Sequence, residues 1–302
     1  MQLQRVVILG ASGFVGRRLV ERLAHSHPGL VVRAFSRAQL DLEASDAVAR
    51  LRAEVTHQTA VLFCSGLTRM HGDSLELFRR NLLITEQVCD ALSPQPPACL
   101  QYLSSSAVYG EDIEQRAIDE ETPINPRTYY GLSKYTSERL LLQSLGAKTP
   151  VTLLRPPALY GPGDTSRAYG PSLFLAAAAG EVPLTLWGDG SELRAFVLVD
   201  DLITVMLRLL DQPVAGVLTP VLGPSVTFQA MLRWIETRLG SPLPRTERPR
   251  SKDKIDHCFT GERLRQLFPE LRFHTLEEGL TQCWEGHPVL STRAPVSSLG
   301  GS

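Results

Sequence analysis

Short apolar runs separated by helix-length stretches set the pattern of this chain. Runs at residues 5–9, 30–35, 60–64, 99–103 and 151–154 are nearly continuous in apolar side chains, as parallel strands buried on both faces would be. Between them, stretches near 14–25, 44–53, 74–92 and 127–145 have the length and spacing of helices. Such alternation predicts an α/β fold, a Rossmann-type doubly wound parallel sheet. The stretch 74–92 is apolar around much of its circumference, which predicts burial, with a subunit contact as one way to achieve it.

After Arg155 the pattern changes. Pro156-Pro157 and Gly161-Pro162-Gly163 break regular structure, and mixed elements follow. A helix is predicted near 171–180, a strand over 195–199, a helix from Asp200-Asp201 and a further strand within 217–222. Helices near 227–239, 261–268 and 276–285 follow, with a surface loop at 241–251. The expected division is a doubly wound domain over 1–157 and 195–222 and a smaller mixed α/β lobe over 158–194 and 223–290. Residues 291–302 are expected to be a disordered tail.

Composition narrows the class. Of 302 residues 43% are hydrophobic and 21% charged, as in a globular protein with a sizeable core. A net charge of -1 gives no reason to expect nucleic acid or an anionic membrane as partner, and no apolar run reaches the ~18 residues that span a bilayer. The first apolar run, Val6-Val7-Ile8-Leu9, begins almost at once, so a cleaved leader is not expected. Five cysteines without Cys-x-x-Cys spacing argue against disulfides or structural zinc and for a reducing cytoplasm. Cys64, at the end of a strand, is expected to be a small core residue.

Three features carry chemistry. Gly10-x-x-Gly13-x-x-Gly16 lies between the first strand and the first helix. There glycines permit a tight turn, backbone approach to a pyrophosphate and close helix packing, and the helix amino terminus attracts phosphates. Tyr130 and Lys134, four residues apart, share a helix face, where an ammonium beside a phenol favours phenolate. Ser104-Ser105-Ser106 supplies hydroxyls that can hold a substrate oxygen. At the end of the second strand stands Ser36-Arg37, with no carboxylate before Asp41. A hydroxyl followed by a guanidinium suits a ribose phosphate, which favours NADP(H) and leaves NAD open. Asp41-Leu42 is placed alternatively along an adenine ring.

With these residues, the chain resembles the extended short-chain dehydrogenase/reductases, in particular the NAD-dependent epimerase/dehydratase family that modifies nucleotide sugars. The likeness runs from about Val6 to Trp284. Besides the glycine loop it rests on Ser104 through Gly110, on Pro126 through Glu138, and on Arg155-Pro156-Pro157-Ala158-Leu159-Tyr160-Gly161-Pro162-Gly163. Trp187-Gly188-Asp189-Gly190 followed by Arg194 through Asp201 completes it. The resemblance implies Tyr130 as acid/base, Lys134 as its tuning cation and ribose ligand, and Ser105 as the catalytic serine, four residues before Tyr109. It implies that Asn81 supports the active site, with packing or capping the alternative. It also implies that Arg194 grips the pyrophosphate of a nucleotide sugar, with a solvated charge the alternative. The implied cofactor contacts extend to Ser12, Phe14 and Val15, to Cys64, Ser65 and Gly66, and to Ser104 and Pro157. Ser106 and Ala158 join Ser105, Tyr130 and Arg194 at the substrate. No metal is implied.

Two departures refine this. Where dehydratases of the family carry Asp-Glu, this chain has Ser106-Ala107, which removes the acids that eliminate water. Ala158 stands where an asparagine commonly meets the substrate phosphates. The resemblance therefore implies an NADPH-dependent 4-ketoreductase of a nucleotide-linked keto-deoxyhexose. A nucleotide-sugar epimerase with tightly held cofactor, a reductase of a non-nucleotide carbonyl and a non-catalytic dinucleotide-binding regulator remain as alternatives. A homodimer through helices 74–92 and 127–145 is a further implication.

Overall fold

The computed structural model describes residues 3–111, 114–167, 170–250 and 253–292. It forms two compact units. The first comprises residues 1–112, 119–157 and 199–220, and the second comprises 113–118, 158–198 and 221–302.

The first unit is built on a six-stranded sheet. Strands β1 (Arg5–Leu9), β2 (Val31–Phe35), β3 (Thr59–Phe63) and β4 (Cys99–Leu103) are joined by Val151–Leu154 and Gly216–Leu218. Across the sheet the order is Gly216–Leu218, Val151–Leu154, β4, β3, β1, β2, and every pair is parallel. Helices α1 (Phe14–Ser26), α2 (Ala47–Glu54), α3 (Leu75–Leu92) and α4 (Tyr129–Leu145), with Val199–Asp211, make the crossovers. This is the doubly wound parallel sheet that the alternation predicts. Its central strands are fully buried, Val6, Val7, Ile8, Val61 and Leu62 among them at 0% exposure, because helices cover both faces.

One expectation needs correction. β2 is not a buried strand; it is the sheet edge, with Val31 and Arg33 exposed. α3 is buried along one side within this chain. Leu77, Asn81, Ile84, Thr85 and Val88 face inward, while Leu75 and Leu83 remain exposed, since α2 and α4 cover only part of its circumference.

The second unit has its own core. Tyr160, Phe174, Leu198, Met231, Ile235, Leu280 and Trp284 pack there, contributed by short strands and by helices Gly170–Ala178, Phe228–Leu239 and Leu276–Glu285. The expected strand near 195–199 forms as Phe196–Leu198 and pairs in parallel with Ala158–Tyr160 in this unit. The expected loop at 241–251 contains a strand, Arg245–Arg248, that pairs with Leu184–Trp187. Its exposed, charged side chains hide it from any reading of hydrophobic pattern. The tail expected from residue 291 lies, from 293 onward, outside the described residues. Among the described residues no helix is long and apolar enough to cross a membrane, and no group of three metal-ligating side chains gathers.

Candidate active site

The glycine loop follows β1 directly. Gly10 adopts φ +91°, and a Cβ there would lie 2.9 Å from the Ser65 nitrogen and 3.0 Å from the Cys64 carbonyl carbon. The loop thus crosses the end of β3 at backbone distance, which only glycine allows. At Gly16 a Cβ would strike the Gly10 carbonyl oxygen and approach the Ala11 Cα to 2.8 Å, so α1 can lie flat on the turn only without a side chain there. Gly13 begins α1 with extended φ/ψ and no side-chain cap. That leaves first-turn N–H groups without a side-chain acceptor, a seat for phosphate oxygens. Ser12 is exposed, Phe14 half-buried and Val15 buried. The loop therefore fits a dinucleotide pyrophosphate by its main chain.

At the end of β2, Ser36 donates both N–H and hydroxyl to Gln39 Oε1, at 2.9 and 2.8 Å. Arg37, still 62% exposed, pairs with Asp41 at 3.2 Å and Glu43 at 2.9 Å. Glu43 also takes a bidentate pair from Arg80 of α3, at 2.6 and 2.8 Å. Arg37 is thus paired with two carboxylates close by in the chain, and Arg80, which holds one of them, arrives by tertiary contact. Asp41 is partly exposed, whereas Leu42 buries its side chain in the core at 5% exposure.

Around Lys134 four elements converge. Thr128 caps α4 by accepting from the Gly131 N–H at 3.0 Å, and Asp73 accepts from the Tyr130 N–H at 3.0 Å, both suited to a positive helix amino terminus. Lys134, one turn on from Tyr130, is buried at 6% exposure and donates to the Leu103 carbonyl at 2.7 Å. Its ammonium sits 4.8 Å from the Tyr102 ring centre and 5.9 Å from that of Tyr130. Burial pushes its pKa down to about 8, against the opposing pull of Cys64 and Glu138. Cys64, half-buried at the end of β3, has its thiol pushed up to about 12 by burial, Lys134 opposing. Gly66 passes the same point, where a Cβ would lie 3.4 Å from Asn81 Oδ1 and 3.6 Å from Lys134 Nζ. Asn81 clasps the loop, accepting from Leu67 N–H at 2.7 Å and donating to Leu67 O at 3.0 Å and Ser133 Oγ at 3.1 Å.

The three serines diverge. Ser104 is buried and turns its hydroxyl to Glu138. Ser105 is half-buried, caps the short 3₁₀ turn Ser106–Tyr109 and accepts from Ala107 N–H at 3.2 Å. Ser106 donates its N–H to Pro156 O at 2.9 Å. That turn packs on the start of α4, where a Cβ on Gly131 would meet the Ala107 oxygen at 2.7 Å. Tyr129, the neighbour of Tyr130, points outward at 41% exposure. Pro157 is buried in the first unit. Ala158 and Arg194 belong to the second unit, where Arg194 Nη1 donates to Leu193 O at 2.9 Å and to Ile255 O.

A model of the NAD dependent epimerase/dehydratase family matches residues 6–221, the span that holds the glycine loop, the serines and the Tyr130–Lys134 pair. This chain belongs to that family. Within the epimerase/dehydratase family, dTDP-4-dehydro-6-deoxy-D-allose reductase of Streptomyces bikiniensis is 28% identical over 272 residues, covering 78% of this chain and 82% of the relative. The structure of RMD from Pseudomonas aeruginosa complexed with NADPH superposes with a TM-score of 0.77 at 26% identity, covering 95% of this chain and 98% of that one. MoeE5 in complex with UDP-glucuronic acid and NAD shares the fold, with a TM-score of 0.78 at 23% identity over 92% of this chain and 97% of that one. The chain spans about half the length, 51%, of the Arabidopsis thaliana UDP-glucuronic acid decarboxylases 2 and 4 that it also matches.

Proposed function

We propose that this protein is an NADPH-dependent 4-ketoreductase of a nucleotide-linked keto-deoxyhexose. The observation that carries the reading is the anchored cation. Lys134 is buried, tied to the Leu103 carbonyl at the strand end that leads into Ser104-Ser105-Ser106, and faces the Tyr130 ring one helical turn away. When bound, the nicotinamide supplies hydride to the carbonyl carbon. Tyr130 donates its phenolic proton to the carbonyl oxygen, and the Ser105 hydroxyl holds that same oxygen by a hydrogen bond. Lys134 stabilises the phenolate left on Tyr130 until solvent returns the proton. Asn81 keeps the loop at Leu67 and the α4 turn at Ser133 in register with this chemistry.

Several observations support the finer choices. A hydroxyl and a guanidinium side by side at Ser36-Arg37, just past the end of β2, support NADP(H) over NAD, and the relative RMD is complexed with NADPH. The Streptomyces bikiniensis relative is named as a reductase of a dehydro-deoxy sugar. Ser106-Ala107 lacks the acids of a dehydratase. Arg194 is read as the pyrophosphate ligand and Ala158 as a substrate neighbour. Exposed Leu75 and Leu83 on α3, with Tyr129 and Leu132 on α4, support a homodimer formed through these two helices. Free cysteines support a cytoplasmic setting.

The test gives the protein NADPH and a nucleotide-linked 4-keto-6-deoxyhexose and follows reduced cofactor. Consumption in proportion to substrate is the expected result. Isomerisation of a nucleotide sugar with no net consumption would make it an epimerase instead, since both reactions use the same residues.

A further inference from the structure

Glu138 and Arg155 form a buried ion pair that the proposed chemistry leaves unused. They are 1% and 4% exposed, and two parallel bonds join them. Arg155 Nε donates to Glu138 Oε1 at 2.9 Å, and Nη2 donates to Oε2 at 2.7 Å. A buried pair of this kind is a poor way to gain stability, because desolvation offsets the attraction. Its reach suggests another use.

On one side Glu138 Oε1 also accepts from the Ser104 hydroxyl. On the other, Arg155 Nη1 donates to the Tyr109 hydroxyl at 3.2 Å. Ser104 immediately precedes Ser105, and Tyr109 closes the 3₁₀ turn that Ser105 caps. Between those ends, Pro156, the neighbour of Arg155, accepts from the Ser106 N–H at 2.9 Å. The turn bearing Ser105 is therefore held at both ends and near its start. Glu138 lies on α4 one turn beyond Lys134 and two beyond Tyr130, so the same rigid helix carries the clamp and the reacting pair.

We infer that the Glu138–Arg155 pair, through Ser104 and Tyr109, is a positioning device that holds the Ser105 hydroxyl in register with Tyr130 and Lys134. The inference rests on reading those three residues as the reacting groups. Positioning of this kind matters because a misplacement of about 1 Å can lower a rate by about a hundredfold.

The test centres on Ser104→Ala, which removes one strut and leaves the ion pair and the side chains of all three reacting residues unaltered. Because Ser104 is also an expected cofactor neighbour, rates are compared at saturating NADPH, with the affinity of each protein taken separately from fluorescence titration. Single-turnover hydride transfer to a nucleotide-linked 4-keto-6-deoxyhexose is expected to fall by about tenfold or more. The double variant Ser104→Ala/Ser105→Ala should be no slower than Ser105→Ala alone, because the strut acts only through that hydroxyl. Independently of turnover, hydrogen exchange across residues 104–110 should rise by about tenfold in Ser104→Ala and in Glu138→Gln, with α1 unchanged. Should Glu138→Gln fail to fold, Ser104→Ala decides alone. Parental exchange in Ser104→Ala, or additive losses in the double variant, would overturn the clamp and leave the catalytic reading standing. A Ser105→Ala protein as fast as the parent would overturn the catalytic reading, and the clamp with it.

Discussion

Replacing Lys134 with methionine separates what the site does from what the fold tolerates. Burial lowers this lysine from 10.5 to about 8. At about 1.4 kcal/mol per pKa unit, holding the ammonium charged at neutral pH therefore costs the fold about 3 kcal/mol. Methionine keeps a stem of similar length over Tyr102 and removes that cost, but it leaves the Leu103 carbonyl without its donor, a loss of about 1–3 kcal/mol. The expected net change at pH 7 runs from about zero to a gain of about 2 kcal/mol, while hydride transfer falls by about a hundredfold or more. The pH dependence has a definite sign. Between about pH 8 and 10.5 the unfolded chain keeps a proton on this lysine that the folded protein has released. The parent protein therefore gains about 3 kcal/mol through that window and ends above the variant by about 1–3 kcal/mol, the value of the Leu103 bond that methionine lacks. Urea denaturation of both proteins at pH 7 and pH 10 measures the gap directly. A variant destabilised by more than about 3 kcal/mol, with the same gap at both pH values, would refute the reasoning.

Other expectations follow from the same geometry. Ketoreduction should decline as pH rises through about 8, where Lys134 loses the charge that stabilises the Tyr130 phenolate, and a pH–rate profile of kcat will show this limb. Tyr130→Phe should lose about a thousandfold in rate with an unchanged melting temperature, whereas Tyr129→Phe, exposed in the parent, should stay within about twofold. Gly16→Ala forces a methyl into the Gly10 carbonyl, so calorimetry should find a loss of about 1–3 kcal/mol and titration should find much weaker NADPH binding. Arg37→Ala should raise the KM for NADPH by about tenfold and leave NADH nearly unaffected; equal effects on both would argue against a ribose-phosphate contact.

The chain by itself determined the alternation of strands and helices, the glycine turn and the shared face of Tyr130 and Lys134. Each is set by local periodicity or by a steric need of a few neighbouring residues, and such constraints are written in order along the chain. Tertiary structure decided which partner each polar atom finds. Ser104 looks interchangeable with Ser105 in sequence, yet its hydroxyl goes to Glu138, thirty-four residues away. Arg245–Arg248 reads as loop because its side chains are polar, yet its main chain completes a ladder with Leu184–Trp187. Hydrophobic pattern reports how a segment divides between water and core; it carries no record of which distant donor meets which acceptor, and that meeting exists only once the chain has closed on itself.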